Sequence, residues 1–90
     1  MGREMEGVRF AAKGIIGGYA RELQLIKNKI DEYEAKDALT DEEMKDWKVL
    51  ELRQLNGRNE SQAVLNAIVE MGILTPKEAV IEIRAAREDV

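Results

Sequence analysis

The stretch KGIIGGYAREL, residues 13–23, places three glycines within five residues of a segment that otherwise has the pattern of a long helix. Apolar residues recur on both sides of it at alternating spacings of three and four, which is the near-heptad period of a helix that packs along one stripe. The stripe consists of Met5, Val8, Ala12, Ile15, Tyr19, Leu23, Ile26, Ile30 and Tyr33. We therefore predict a long first helix over residues 1–36.

The glycines of this stretch have two structural interpretations. In the first, residues 14–18 form a hinge, because each glycine in a helix interior costs roughly 1 kcal/mol relative to alanine. In the second, small residues line one face of a continuous helix, where the backbone of another helix can approach closely. That row is Gly7, Ala11, Gly14 and Gly18. Gly17 lies outside the row and favours the hinge, so both interpretations stay open at this point.

Three shorter helices are predicted after the first, and threonines mark two of their starts. Thr40 and Thr75 are each followed three residues later by a glutamate, Glu43 and Glu78, which is the spacing of a capping box. Gly72 follows an amphipathic segment as a C′ glycine and predicts that the preceding helix ends at residue 71. The predicted ranges are 40–55, 59–71 and 76–88.

The break between the second and third of these four helices is predicted at Asn56-Gly57, a dipeptide that is common in turns. The same dipeptide is typical of β-hairpins, but the residues after it have helical spacing and offer no second strand. The chain is therefore predicted to be a single all-α domain, residues 1–90, of about four helices: one long and three shorter with caps.

The composition removes most catalytic chemistries. The 90 residues contain no cysteine and no histidine, which excludes disulfides, thiol nucleophiles, imidazole bases and Cys/His zinc sites. The acidic cluster Asp41 to Asp46 is typical of carboxylates near the positive end of a helix dipole. Lys13 precedes the three glycines of residues 14–18, whereas a phosphate-binding loop has its lysine after its glycines. We expect a protein that is not an enzyme, with no catalytic residue, no cofactor and no metal site.

The charge pattern also limits the classes of partner that the protein is expected to bind. The net charge is −4, and no basic stripe is present to follow a phosphate backbone, so nucleic acid is an improbable partner. No apolar run is long enough for a signal peptide or a membrane-spanning helix. We therefore expect a cytoplasmic protein that does not bind membranes.

Two segments resemble known families. Residues 41–43, 57–61 and 63–68 resemble the paired helices of ribbon-helix-helix repressors, which implies DNA binding. That family's DNA-reading strand would have to precede Leu39, where the sequence has no alternating basic pattern. Residues 71–79, MGILTPKEA, resemble the helix-turn-helix tails of some phage portal proteins, which implies a phage origin.

Protein binding through apolar helix faces, including self-association as a homodimer or higher oligomer, is the function that the sequence favours. An unidentified protein is the other expected partner. The predicted contact face is Val8, Ala11, Ala12, Gly14, Ile15, Gly18, Tyr19, Leu23 and Ile26. Trp47, which has cations near it in the sequence, is the predicted second contact. The alternatives are a small DNA-binding, transcription-regulating protein and a phage-type inhibitor that occupies the surface of a host protein.

Overall fold

A computed structural model describes residues 2–90, with side chains from Met5 onward, and confirms the all-α class. Helix α1 spans Gly2–Glu34, α2 spans Asp41–Glu70 and α3 spans Pro76–Glu88. No strand occurs in this part of the chain. The predicted number of four helices is wrong, because residues 40–55 and 59–71 belong to one helix.

The predicted break at Asn56-Gly57 does not occur, and α2 continues through it as one helix of 30 residues. A Cβ atom placed on Gly57 would lie 2.8 Å from Cδ2 of Leu23 on α1. The missing side chain therefore makes room for Leu23, so this glycine serves close helix packing and not a turn. Beyond it, the side chain of Gln62 donates to Oδ1 of Asn66 one turn further along the surface of α2, at 2.9 Å.

Helix α1 is continuous through residues 14–18, so the predicted hinge is not observed there. A continuous helix is what the small-residue interpretation requires. Gly17, which favoured the hinge, faces α3: a Cβ atom there would lie 3.8 Å from Cβ of Ala86. At 1.5 Å per residue, the 33 residues of α1 extend about 50 Å. The molecule measures 57 × 22 × 17 Å, so α1 runs along most of its length.

Both capping boxes and the glycine cap are confirmed. The hydroxyl of Thr40 accepts from the amide of Glu43 at 3.1 Å, and the hydroxyl of Thr75 accepts from the amide of Glu78 at 3.2 Å. Each glutamate in turn accepts from the backbone amide of its threonine. Gly72 has a φ of 73°, a left-handed conformation that favours glycine. These caps fix where α2 and α3 begin and where α2 ends.

Helix α1 is the centre of the fold, because α2 and α3 both pack along it, whereas the backbones of α2 and α3 approach each other at few positions. Helix α2 runs antiparallel to α1, and α3 runs parallel to it. One core cluster joins all three helices near the α2–α3 turn and consists of Ala12, Ile16, Ile68, Leu74 and Ala79. A second cluster joins α1 to the start of α2 and consists of Ile30, Tyr33 and Leu50. This arrangement leaves part of α1 without a neighbour.

Candidate protein-binding face

Arg9 and Lys13, two cations in the first half of α1, both point toward α3. Arg9 forms an ion pair with Glu78 and also donates to the carbonyl of Ile73 at 3.4 Å. Nζ of Lys13 lies 4.0 Å from a carboxylate oxygen of Glu82. These two cations are the only charged residues between residues 7 and 20. The rest of the circumference of this segment is therefore uncharged.

An uncharged part of this segment is open to solvent, and we call it the uncovered face. It consists of Gly7, Val8, Phe10, Ala11, Gly14, Ile15 and Gly18, all of which are exposed. Phe10 is 81% exposed and Ile15 is 49% exposed. At 100° per residue these positions span about 160° of the helix, over an axial length of about 17 Å. The opposite side contributes Ala12, Ile16 and Ala20 to the core, so this segment is uncharged nearly all round, and a helix that is hydrophobic all round is usually buried.

The glycines of the uncovered face touch nothing within the chain. A Cβ atom added to Gly7, Gly14 or Gly18 would meet no atom within 4 Å outside its own helix turns. Three glycines in a helix cost roughly 3 kcal/mol relative to alanine, and no packing inside the described chain offsets this cost. Gly17 and Gly57, by contrast, both face a neighbouring helix.

The predicted contact face divides into three groups in the structure. Five of its residues lie together on the uncovered face: Val8, Ala11, Gly14, Ile15 and Gly18. Tyr19, Leu23 and Ile26 are half-buried, and the hydroxyl of Tyr19 donates to Glu60 of α2 at 3.0 Å. The assignment of Ala12 is corrected, because Ala12 is 4% exposed and belongs to the core. A straight helix turns by 100° per residue, which places Ala12 and Ala11 on different sides.

Sequence reasoning missed Phe10 and Leu25, because neither lies on the near-heptad stripe. Leu25 is 53% exposed and continues the row of Gly7, Gly14 and Gly18 about two turns further toward the end of α1. The signal that could have identified both residues is their position on the same side as the small residues at 100° per residue. The stripe instead selected residues that contact α2, such as Tyr19, Ile30 and Tyr33, together with Val8 and Ile15 of the uncovered face.

Trp47 is half-buried and packs against the second core cluster, Ile30, Tyr33 and Leu50. Its indole Nε1 is buried and has no hydrogen-bond acceptor among the described residues. Most of this side chain therefore contributes to packing between α1 and α2, and little of it is available to a partner.

The acidic cluster at the start of α2 has structural roles. Glu43 closes the capping box and also pairs with Lys36, and the hydrogen bond from Lys36 is the main reason that its pKa is lowered to about 2. Asp46 accepts from the hydroxyl of Tyr33 at 2.6 Å, which raises the pKa of Tyr33 to about 12. Over the described residues, no group of three acidic side chains is arranged to hold a metal ion.

The uncovered face has no nucleophile, acid or base, so contact with another apolar surface is what its side chains can provide. Comparison of the chain with protein-family models, with curated proteins and with solved structures finds no match. The ribbon-helix-helix arrangement is not observed, since the described residues contain no strand and α2 is continuous where that family has a turn. Within residues 2–90, no helix combines the length and apolarity needed to cross a membrane.

Proposed function

We propose that this protein is a non-enzymatic helical binding module that self-associates through the uncovered face of α1. The observation that carries the proposal is an uncharged surface about 160° wide, which includes Phe10 at 81% exposure and Val8 at 44% exposure. Monomeric proteins seldom expose contiguous apolar surface of this kind without a binding role. Burial of these side chains against a partner would give the main favourable free energy of association.

The directions of packing around α1 support a helix as the partner element. Tyr19 points toward α2, Lys13 points toward α3 and Gly18 lies on the uncovered face. At 100° per residue these three directions are separated by about 100° to 140°. A helix laid on the uncovered face would therefore complete a ring of three neighbours around α1 without displacing α2 or α3.

A second copy of the chain fits this position because the small residues are symmetrically spaced. The spacings from Gly7 to Ala11, to Gly14 and to Gly18 are 4, 3 and 4, which is the same sequence in either direction. A two-fold axis between residues 12 and 13 would place Gly7 opposite Gly18, and Ala11 opposite Gly14. Small residues opposite one another allow two helix backbones to approach closely, which increases dispersion contacts.

The test is sedimentation equilibrium of the wild type and of Gly14→Leu over a range of protein concentrations. Leucine at the centre of the row would hold the two helices apart, and overpacking of this kind typically costs 1–3 kcal/mol, so we expect the dimer dissociation constant to rise by about tenfold or more. Asp31→Leu is the matched control, because it adds the same side chain at an exposed position of α1 outside the uncovered face. A wild type that stays monomeric at hundreds of micromolar would refute self-association.

The same face is also suited to an apolar helix of another protein. If the wild type stays monomeric in sedimentation, a helix of another protein would occupy the uncovered face. Gly14→Leu would weaken the binding of that helix as well. DNA binding and inhibition of a phage's host protein remain predictions from the sequence. The absence of a salt-dependent mobility shift with duplex DNA would argue against the first of these.

A further inference from the structure

A groove lies between α2 and α3 on the side of α1 that is nearly opposite the uncovered face. Its volume is about 470 Å³, which falls within the range of sites that hold small organic molecules. It lies where α2 and α3 both pack on α1 and their backbones remain apart. Its apolar lining includes Leu23 of α1, Leu65 of α2 and Ile83 of α3.

The charges around this groove differ from those of the chain as a whole. Lys27, Arg58 and Arg87 line it, one from each helix, and none of its other lining residues is acidic. The protein has 18 acidic and 14 basic residues, so a lining with three cations and no carboxylate runs against the overall composition. The remaining polar lining includes uncharged amide side chains that can donate hydrogen bonds.

These three cations also differ from several cations of α1 in having no carboxylate partner. Arg9 and Lys13 pair with carboxylates of α3, and Arg21 pairs with Asp89, the residue that ends α3. Among the described side chains, Lys27, Arg58 and Arg87 have no such ion pair. No described carboxylate forms an ion pair with them, so their positive charge can attract an anion.

We propose that this groove binds a small organic anion that has an apolar body and a carboxylate, phosphate or sulfonate head. The apolar body would lie against the side chains contributed by the three helices, and the head would be held by the guanidinium groups, which bind planar oxyanions in a bidentate way. The proposal is independent of self-association, because the groove and the uncovered face lie on different sides of α1.

The experiment is a fluorescence titration of the full chain with 1-anilinonaphthalene-8-sulfonate, an aromatic sulfonate, and with the neutral probe N-phenyl-1-naphthylamine. We expect one saturable site for the sulfonate. Arg58→Gln and Arg87→Gln should each weaken its binding by about fivefold, and the double variant by more than tenfold. Binding of the neutral probe should change by less than about twofold.

Arg84→Gln is the matched control, because Arg84 lies on α3 one turn before Arg87 and does not line the groove. This variant should bind the sulfonate like the wild type. Competition with dodecanoate and with naphthyl phosphate then distinguishes an acyl carboxylate from an aryl phosphate as the preferred class. Equal sulfonate affinity in the double variant, or equal losses in Arg84→Gln, would overturn the proposal.

Discussion

At the scale of single residues, the meaning of a glycine depends on what lies next to it in space. Gly57 receives the side chain of Leu23, Gly72 adopts a left-handed conformation, and Gly14 faces open space. The sequence around each glycine is compatible with a turn, a cap or a packing face. Only the position of the neighbouring helix distinguishes the three uses.

The contact between Gly57 and Leu23 predicts that the effect of Gly57→Ala on the free energy of unfolding depends on whether Leu23 is present. Gly57→Ala gains roughly 1 kcal/mol of helix propensity, but its Cβ would lie 2.8 Å from Cδ2 of Leu23, and overpacking costs about 1–3 kcal/mol. We expect Gly57→Ala to lower the free energy of unfolding in the wild type and to raise it in a Leu23→Ala background. Urea denaturation of the four proteins in this double-mutant cycle measures the coupling, and additive effects would show that the contact is not tight.

Glu43 and Tyr33 should make the free energy of unfolding depend on pH, the first in acid and the second in alkali. The pKa of Glu43 is lowered to about 2, so its contribution is present above its ordinary value of 4.5 and is lost as the pH falls toward 2. The pKa of Tyr33 is raised to about 12, so its contribution is present below 10 and is lost as the pH rises toward 12.

Denaturation midpoints measured across these two pH ranges test both statements. Glu43→Gln should reduce the loss of stability at acid pH, and Tyr33→Phe should reduce the loss at alkaline pH. Glu78, whose pKa is also lowered, and Tyr19, whose pKa is also raised, should retain part of each pH dependence. Wild-type curves that show no loss of stability between pH 10 and 12 would mean that the hydrogen bond between Tyr33 and Asp46 does not form in solution.

At the scale of elements, α3 is the helix that depends most on its start and on its charged contacts. It has 13 residues, a length that is marginal for an isolated helix. Thr75 caps it, and Arg9, Lys13 and Arg21 join it to α1 through Glu78, Glu82 and Asp89. The order of these pairs is the same along both helices, which is the order that a parallel orientation of α1 and α3 requires.

Replacement of Thr75 by alanine should lower the free energy of unfolding by about 0.5–2 kcal/mol, because the amide of Glu78 loses its acceptor at the start of the helix. Thr75→Ser keeps the hydroxyl and is the matched control, with an expected change of a few tenths of a kcal/mol. Thermal unfolding monitored by circular dichroism measures both variants. Equal midpoints for Thr75→Ala and the wild type would contradict the role of this cap.

At the scale of the whole molecule, the local signals in the sequence were more informative than the long-range ones. Both capping boxes and Gly72 could be located from residue spacing alone, because a cap is formed by neighbours within four positions. The continuity of α2 could not be predicted in this way, because Gly57 makes room for Leu23, a residue more than thirty positions away in the sequence. The candidate face was predicted only in part for the same reason: the stripe identified Val8 and Ile15 but not Phe10.

The small residues of the uncovered face lead to a prediction that separates folding from association. Gly14→Ala adds a methyl group where no atom lies within 4 Å, so it should raise the stability of the monomer by about 0.5–1 kcal/mol. The same methyl group would stand between two closely packed helices in the proposed dimer. We therefore expect a higher melting temperature than the wild type in dilute solution, and a smaller or reversed difference at high protein concentration, because association stabilises the folded state by mass action.

Gly17→Ala is the matched control for this experiment, because Gly17 lies on the same helix but faces α3. Its new Cβ would meet Cβ of Ala86 at 3.8 Å, an ordinary van der Waals distance. Any gain in melting temperature from Gly17→Ala should therefore be independent of protein concentration. If Gly14→Ala shows the same independence, the glycines of the uncovered face do not serve close approach of a second copy, and the proposed dimer would need a different contact surface.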